Sequence, residues 1–154
     1  MNNVPGKTII LIVCIYYIIL GGYNTLAALL TIANFEDSFS QLLISFDSHA
    51  NDAQIRTLFM TMLAFLFAWG LFRFVIGIIA IWNRKKVEWA KTLRILGIID
   101  AVFAVVLLYM ELNNASDTSL YPYIALAMAL LFIYGAKKNI AAYKSESDVL
   151  KIHD

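Results

Sequence analysis

Two oppositely charged residues, Arg73 and Asp100, lie inside long apolar runs of the sequence, where a charged side chain is costly. The basic segment at residues 83–88 separates the two runs, and the midpoint between the two charges falls within it. If the runs form an antiparallel helical hairpin that turns there, both charges lie about 13 Å from its turn, at a rise of about 1.5 Å per residue. The spacing therefore predicts an arginine and an aspartate at the same depth in one hairpin.

This Arg73/Asp100 centre has two interpretations. As a structural ion pair, it fixes the register of the hairpin, and the partner offsets the cost of a lone charge, about 2.5–3.5 kcal/mol on insertion scales. As a functional centre, Arg73 holds an anionic substrate or a lipid headgroup, and Asp100 exchanges a proton. Four residues would then extend a polar path toward the outer face: Tyr17, Asn24, Thr61 and Glu111. Glu111 lies near the predicted outer boundary, where solvation by itself also explains a carboxylate.

Other catalytic and metal-binding patterns are missing from the sequence. The two histidines, His49 and His153, fall in a loop and in the tail, and the single cysteine, Cys14, excludes an internal disulfide. No Ser-His-Asp or Cys-His set falls within the apolar runs, and there is no glycine-rich phosphate loop. We therefore predict no catalytic residue, no metal and no cofactor. An intramembrane enzyme that uses Asp100 or Glu111 remains a third hypothesis.

Four apolar runs must position these residues. The chain of 154 residues is 61% hydrophobic, with a mean hydropathy of +0.73, whereas soluble domains are about 45–50% apolar. Each run has the length that a helix needs to cross about 30 Å of hydrocarbon. The predicted fold is an all-α, four-transmembrane-helix bundle that forms a single integral membrane domain. Its spans are expected at residues 8–33, 57–82, 92–112 and 120–136, with a tail at 137–154.

The distribution of charge predicts that both termini are cytoplasmic. Lysine and arginine in short loops mark the cytoplasmic side of a membrane protein. The N-terminus, the middle loop and the tail together have a formal charge of +6, whereas the other two loops have −5. Termini on one side require an even number of spans, which agrees with four.

Small residues and one amphipathic segment complete the pattern. The first outer loop comprises residues 34–56. Within it, Phe39, Leu42, Leu43 and Phe46 follow the i, i+3, i+4, i+7 spacing of a helix. We expect a short amphipathic helix there, on the outer membrane surface, with an irregular loop as the alternative.

Each central span also has a stripe of small residues around its charge, as in interfaces between membrane helices. The second span places Gly70, Arg73, Gly77 and Ala80 on one arc, and the third span places Gly97, Asp100, Ala101, Ala104 and Glu111 on another.

The span order resembles that of tetraspanins and claudins, but their cysteine-containing motifs are missing, so neither family is assigned. The sequence favours a non-enzymatic multi-pass protein of the plasma membrane. Its expected partners are the lipid bilayer and a second copy or a larger membrane complex. The alternative is binding or transport of a small molecule, ion or lipid through the Arg73/Asp100 centre. The membrane topology explains the excess of basic residues on the predicted cytoplasmic side, and these residues have a secondary attraction to anionic lipids. No nucleic-acid partner is therefore predicted.

Overall fold

The computed structural model describes residues 4–45, 52–113 and 119–151, and five α-helices account for most of them. They are α1 (Lys7–Ala33), α2 (Phe35–Ser45), α3 (Asp52–Asn83), α4 (Ala90–Asn113) and α5 (Tyr121–Lys151). A 3₁₀ turn at Val87–Trp89 precedes α4. These ranges contain no strand, which confirms the all-α prediction for the part of the chain they cover.

Four of the helices are long and apolar enough to cross a membrane. The candidate spans are Lys7–Ala33, Ala53–Asn83, Ala90–Asn113 and Tyr121–Ala142, so the predicted number of spans is confirmed. Many large apolar side chains on these helices are exposed, among them Ile19, Leu58 and Val102. A soluble monomer rarely exposes extended apolar surface, so the structure indicates an integral membrane protein. The cytoplasmic location of the termini remains a prediction.

Two helices extend beyond the predicted spans. α3 begins at Asp52, five residues before the predicted second span. α5 continues through the Lys137-Lys138 pair to Lys151. The reason lies in the sequence, because no glycine or proline follows Gly135 to interrupt the helix. A change from apolar to polar residues marks the end of a membrane span, but it does not by itself end the helix.

The chain forms two compact units. The first combines Met1–Tyr16 with Ile76–Asp154, and the second is Tyr17–Val75. Helices α1 and α3 each contribute one part to each unit. That the whole chain acts as one membrane domain remains a prediction.

In the first unit, α4 packs against α5. Both helices bury residues at alternating spacings of three and four, which is typical of helices that cross at a small angle. The buried residues of α4 are Ala90, Leu93, Gly97, Asp100 and Ala104. Those of α5 include Pro122, Ala125, Ala129, Phe132, Gly135, Ala136 and Asn139. A Cβ atom on Gly97 would lie 2.9 Å from side-chain atoms of Phe132 and Ile133, so this glycine permits the close approach of α4 and α5.

Asn139 joins three distant segments of the first unit. Its side-chain oxygen accepts a hydrogen bond of 2.7 Å from the backbone N–H of Gly6. Its side-chain nitrogen donates a longer bond, 3.4 Å, to the backbone carbonyl of Arg84. Asn139 is only 1% exposed. The start of α1, the turn after α3 and the middle of α5 therefore meet at one buried amide.

We expect Asn139→Ala to lower the free energy of unfolding by about 1–3 kcal/mol, because it leaves the buried N–H of Gly6 without its acceptor. Titration with SDS in mixed micelles measures this change. Asn113→Ala is the matched control, since Asn113 is exposed and donates to Tyr109 of its own helix. Equal effects of the two substitutions would contradict a structural role for the Asn139 bonds.

In the second unit, α1 crosses α3 at two glycines. A Cβ atom on Gly21 would lie 2.7 Å from the carbonyl oxygen of Gly70, and one on Gly70 would lie 2.9 Å from the backbone nitrogen of Thr25. The hydroxyl of Thr25 donates to the Gly21 carbonyl within α1, at 2.7 Å. Two backbones are therefore in near contact here, as small residues permit between membrane helices.

Helix α2 belongs to the same unit and packs through aromatic rings. Phe35 and Phe39 lie 5.6 and 6.2 Å, centroid to centroid, from Phe59 of α3. The guanidinium of Arg56 lies 5.0 Å from the Phe35 ring centroid and forms an ion pair with Glu36. Phe39 is buried, whereas Leu42 and Leu43 are half-buried. The position of α2 on the outer membrane surface remains a prediction, and Phe46 lies outside the described residues.

Candidate functional site

Arg73 is fully buried in α3 and lies against two aromatic rings of the second unit. Its guanidinium carbon is 3.9 Å from the Trp69 ring centroid and 5.2 Å from that of Tyr17. Trp69 precedes Arg73 by four residues, so the two share one face of α3. Tyr17 reaches the same place from α1, one turn before the close crossing at Gly21.

The aromatic contacts explain how a charge is tolerated in this buried position. The face of an indole or phenol ring attracts a cation, and the gain reaches about 2 kcal/mol or more when water is excluded. Arginine suits this site because the face of its planar guanidinium stacks on rings while its edge presents N–H donors. The second unit thus surrounds the Arg73 charge in part with its own side chains.

Asp100 is fully buried in the first unit. It belongs to the buried face of α4, between Gly97 and Ala104. Asp100 is ten residues from the start of α4 at Ala90, and Arg73 is ten residues from the end of α3 at Asn83. Both charges are therefore about 15 Å from the helix end that adjoins the connecting turn. Their pairing, which the sequence register predicts, stays a prediction.

The structure brings some of the predicted path residues together. Tyr17 contacts Arg73 directly. Asn24 lies on α1 beside Gly70, where a glycine Cβ would be 3.0 Å from the Asn24 Cβ. Asn24 and Arg73 therefore lie in the same region of the second unit.

The other two path residues lie elsewhere. Thr61 is exposed on α3, about 18 Å along the helix from Arg73, and its hydroxyl donates to the Thr57 carbonyl at 2.8 Å. Glu111 is half-buried near the end of α4 and accepts a hydrogen bond from the backbone N–H of Ser119. A continuous polar path through all four residues remains a prediction.

Two residues that matter here, Trp69 and Asn139, are not among the predicted site residues. Trp69 lies one turn before Arg73 on the same face of α3, a position that is visible in the sequence. The predicted tail at residues 137–154 includes Asn139, although this residue continues the spacing of Phe132 and Ala136. Spacing therefore carried a signal in both cases, whereas the identity of each contact required the structure.

Metal chemistry finds no support in the ranges that the structure covers. They contain no group of three or more His, Cys, Asp or Glu side chains placed to hold a metal ion. Cys14 is a buried free cysteine. The chemistry available in the described spans is that of one buried cation, one buried carboxylate and the rings around the cation.

Comparison with known proteins assigns no family. No protein-family model, no curated protein and no solved structure matches the chain. A functional proposal therefore rests on the geometry of the helices themselves.

Proposed function

We propose that this chain is a non-enzymatic multi-pass protein of the plasma membrane that associates with itself or serves as an accessory subunit of a membrane complex. The main support is the burial of Arg73 against Trp69 and Tyr17. Aromatic rings of the chain itself contact the cation, so its first role is to stabilise packing. The buried charge of the second unit thus serves contacts between helices, as expected of a protein that acts by association.

An exposed face of α3 suggests where association occurs. Thr57, Thr61, Ala64 and Ala68 are all exposed and follow one another at spacings of four, three and four. We name these four residues the α3 small face. Both hydroxyls donate to carbonyls of their own helix, at 2.9 and 2.8 Å. Such a face offers lipid little surface but lets a second helix approach closely. Since two-fold dimers are the commonest assemblies, we expect a second copy here.

Energy transfer between donor- and acceptor-labelled copies in liposomes tests this proposal. We expect transfer to persist on dilution with lipid, and Ala64→Leu with Ala68→Leu to weaken association about tenfold, because larger side chains separate the backbones. Ala127→Leu, at an exposed alanine of α5, is the matched control and should have no effect. A protein that is monomeric at all lipid ratios would reject self-association, and a co-purified membrane subunit would then favour the accessory role.

The alternative is binding or transport of a small molecule, ion or lipid that uses Arg73 and Asp100. The observation in its favour is that both charged side chains are fully buried within candidate spans, where ionisable residues are functional candidates. Native mass spectrometry of the detergent-purified protein distinguishes the two proposals. A bound anion that is retained by the wild type and lost in Arg73→Gln favours this alternative. Absence of any retained small molecule, together with a defined oligomer, favours association.

A further inference from the structure

Three basic segments converge at the buried amide of Asn139. Lys7 follows Gly6, whose N–H donates to Asn139. Arg84, whose carbonyl accepts from Asn139, begins the Arg84-Lys85-Lys86 run. Lys137 and Lys138 directly precede Asn139 in α5. We name these six side chains the basic cluster, and all of them belong to the first unit.

The cluster presents its charges to the surroundings. Lys85, Lys86, Lys137 and Lys138 are exposed. Arg84 is half-buried and donates to the carbonyl of Ile81 at 2.8 Å, so one of its nitrogens caps the end of α3. The remaining N–H groups of the Arg84 guanidinium and the ammonium groups of these four exposed lysines provide donors for an external anion.

Two tryptophans flank the same turn. Trp82 is 77% exposed and Trp89 is 36% exposed. Exposed tryptophans next to an apolar span are typical of the depth at which lipid headgroups lie. The cations of this cluster therefore lie next to side chains suited to the headgroup layer, which makes a lipid the fitting partner.

We propose that the basic cluster is a binding surface for the phosphate groups of anionic phospholipids, assembled by Asn139. Lysine and arginine form charge-assisted hydrogen bonds with phosphate oxygens, and basic residues beside a span attract anionic lipids. The Asn139 bonds hold three segments in place before a lipid arrives, so less conformational freedom is lost on binding. This function is independent of self-association through α3.

Lipid selectivity measured by tryptophan quenching tests the surface. The protein is reconstituted in phosphatidylcholine bilayers with increasing brominated phosphatidylglycerol, and quenching of its tryptophans gives the relative binding constant. We expect a preference of about tenfold for the anionic lipid. The variant K85Q/K86Q/K137Q/K138Q should reduce it to near unity. Arg56→Gln, which removes a cation from the other unit, should leave it unchanged.

A second variant distinguishes a surface whose segments are held together by Asn139 from a general electrostatic attraction by the six cations. Asn139→Leu retains all six cations but removes the amide that joins their segments, so it should lower the preference at least threefold. An unchanged preference in Asn139→Leu would overturn the role of Asn139. An unchanged preference in the four-lysine variant would overturn the surface altogether. Competition by inorganic phosphate at matched ionic strength would identify a free-phosphate site instead, and we expect none.

Discussion

Gly21→Ala should lower the free energy of unfolding by about 3 kcal/mol, near the upper end for overpacking in a tight core. A Cβ atom on Gly21 would lie 2.6 Å from the backbone nitrogen of Phe74 and 2.7 Å from the carbonyl oxygen of Gly70. Both neighbours are backbone atoms of α3, so a change of rotamer cannot relieve the clash. The helices must instead move apart where they are closest, and contacts along the crossing are then lost.

Gly22→Ala is the matched control for this substitution. Its Cβ atom would lie 3.4 Å from the Phe74 ring, which is ordinary van der Waals contact. Alanine also favours the helix over glycine by about 1 kcal/mol, so this variant should be as stable as the wild type or more so. SDS titration in mixed micelles measures both variants. Two alanines of equal effect would show that α1 and α3 do not approach each other closely at Gly21.

The spans and their packing faces were largely predictable from the sequence. Hydropathy and length identify a membrane helix because the thickness of the bilayer fixes both. The predicted arc of Gly70, Arg73, Gly77 and Ala80 is buried at all four positions. Small residues at helical spacing therefore indicated the packed face of α3 correctly.

The partners of those faces were less predictable. Gly70 approaches α1 at Thr25, and Gly97 approaches α5 at Phe132, and the spacing of small residues predicts neither neighbour. Periodicity shows which side of a helix is buried but not which helix covers it, since several helices have a face of small, apolar residues. Trp69 and Asn139 were missed for the same reason, because each matters through its contacts with specific neighbours.

The largest expected effect concerns the two buried charges. We expect Arg73→Asp and Asp100→Arg, each alone, to lower the free energy of unfolding by about 3–5 kcal/mol or to prevent folding, because each places two like charges in the spans without compensation. The exposed ion pair of Arg56 and Glu36 provides the control. Its side chains are 51% and 72% exposed, so Glu36→Gln should cost no more than about 1 kcal/mol.

The double exchange, Arg73→Asp with Asp100→Arg, tests whether the two charges depend on each other. If they pair, as the sequence register predicts, the combined variant should recover about 1–3 kcal/mol relative to the sum of the single effects, as expected for coupled residues. Recovery should be incomplete, because an aspartate at position 73 gains nothing from the rings of Trp69 and Tyr17 that stabilise the cation. Additive losses would instead show that each charge is stabilised within its own unit. The second unit already supplies those two rings to Arg73, so the amount recovered measures only the coupling between the two charges.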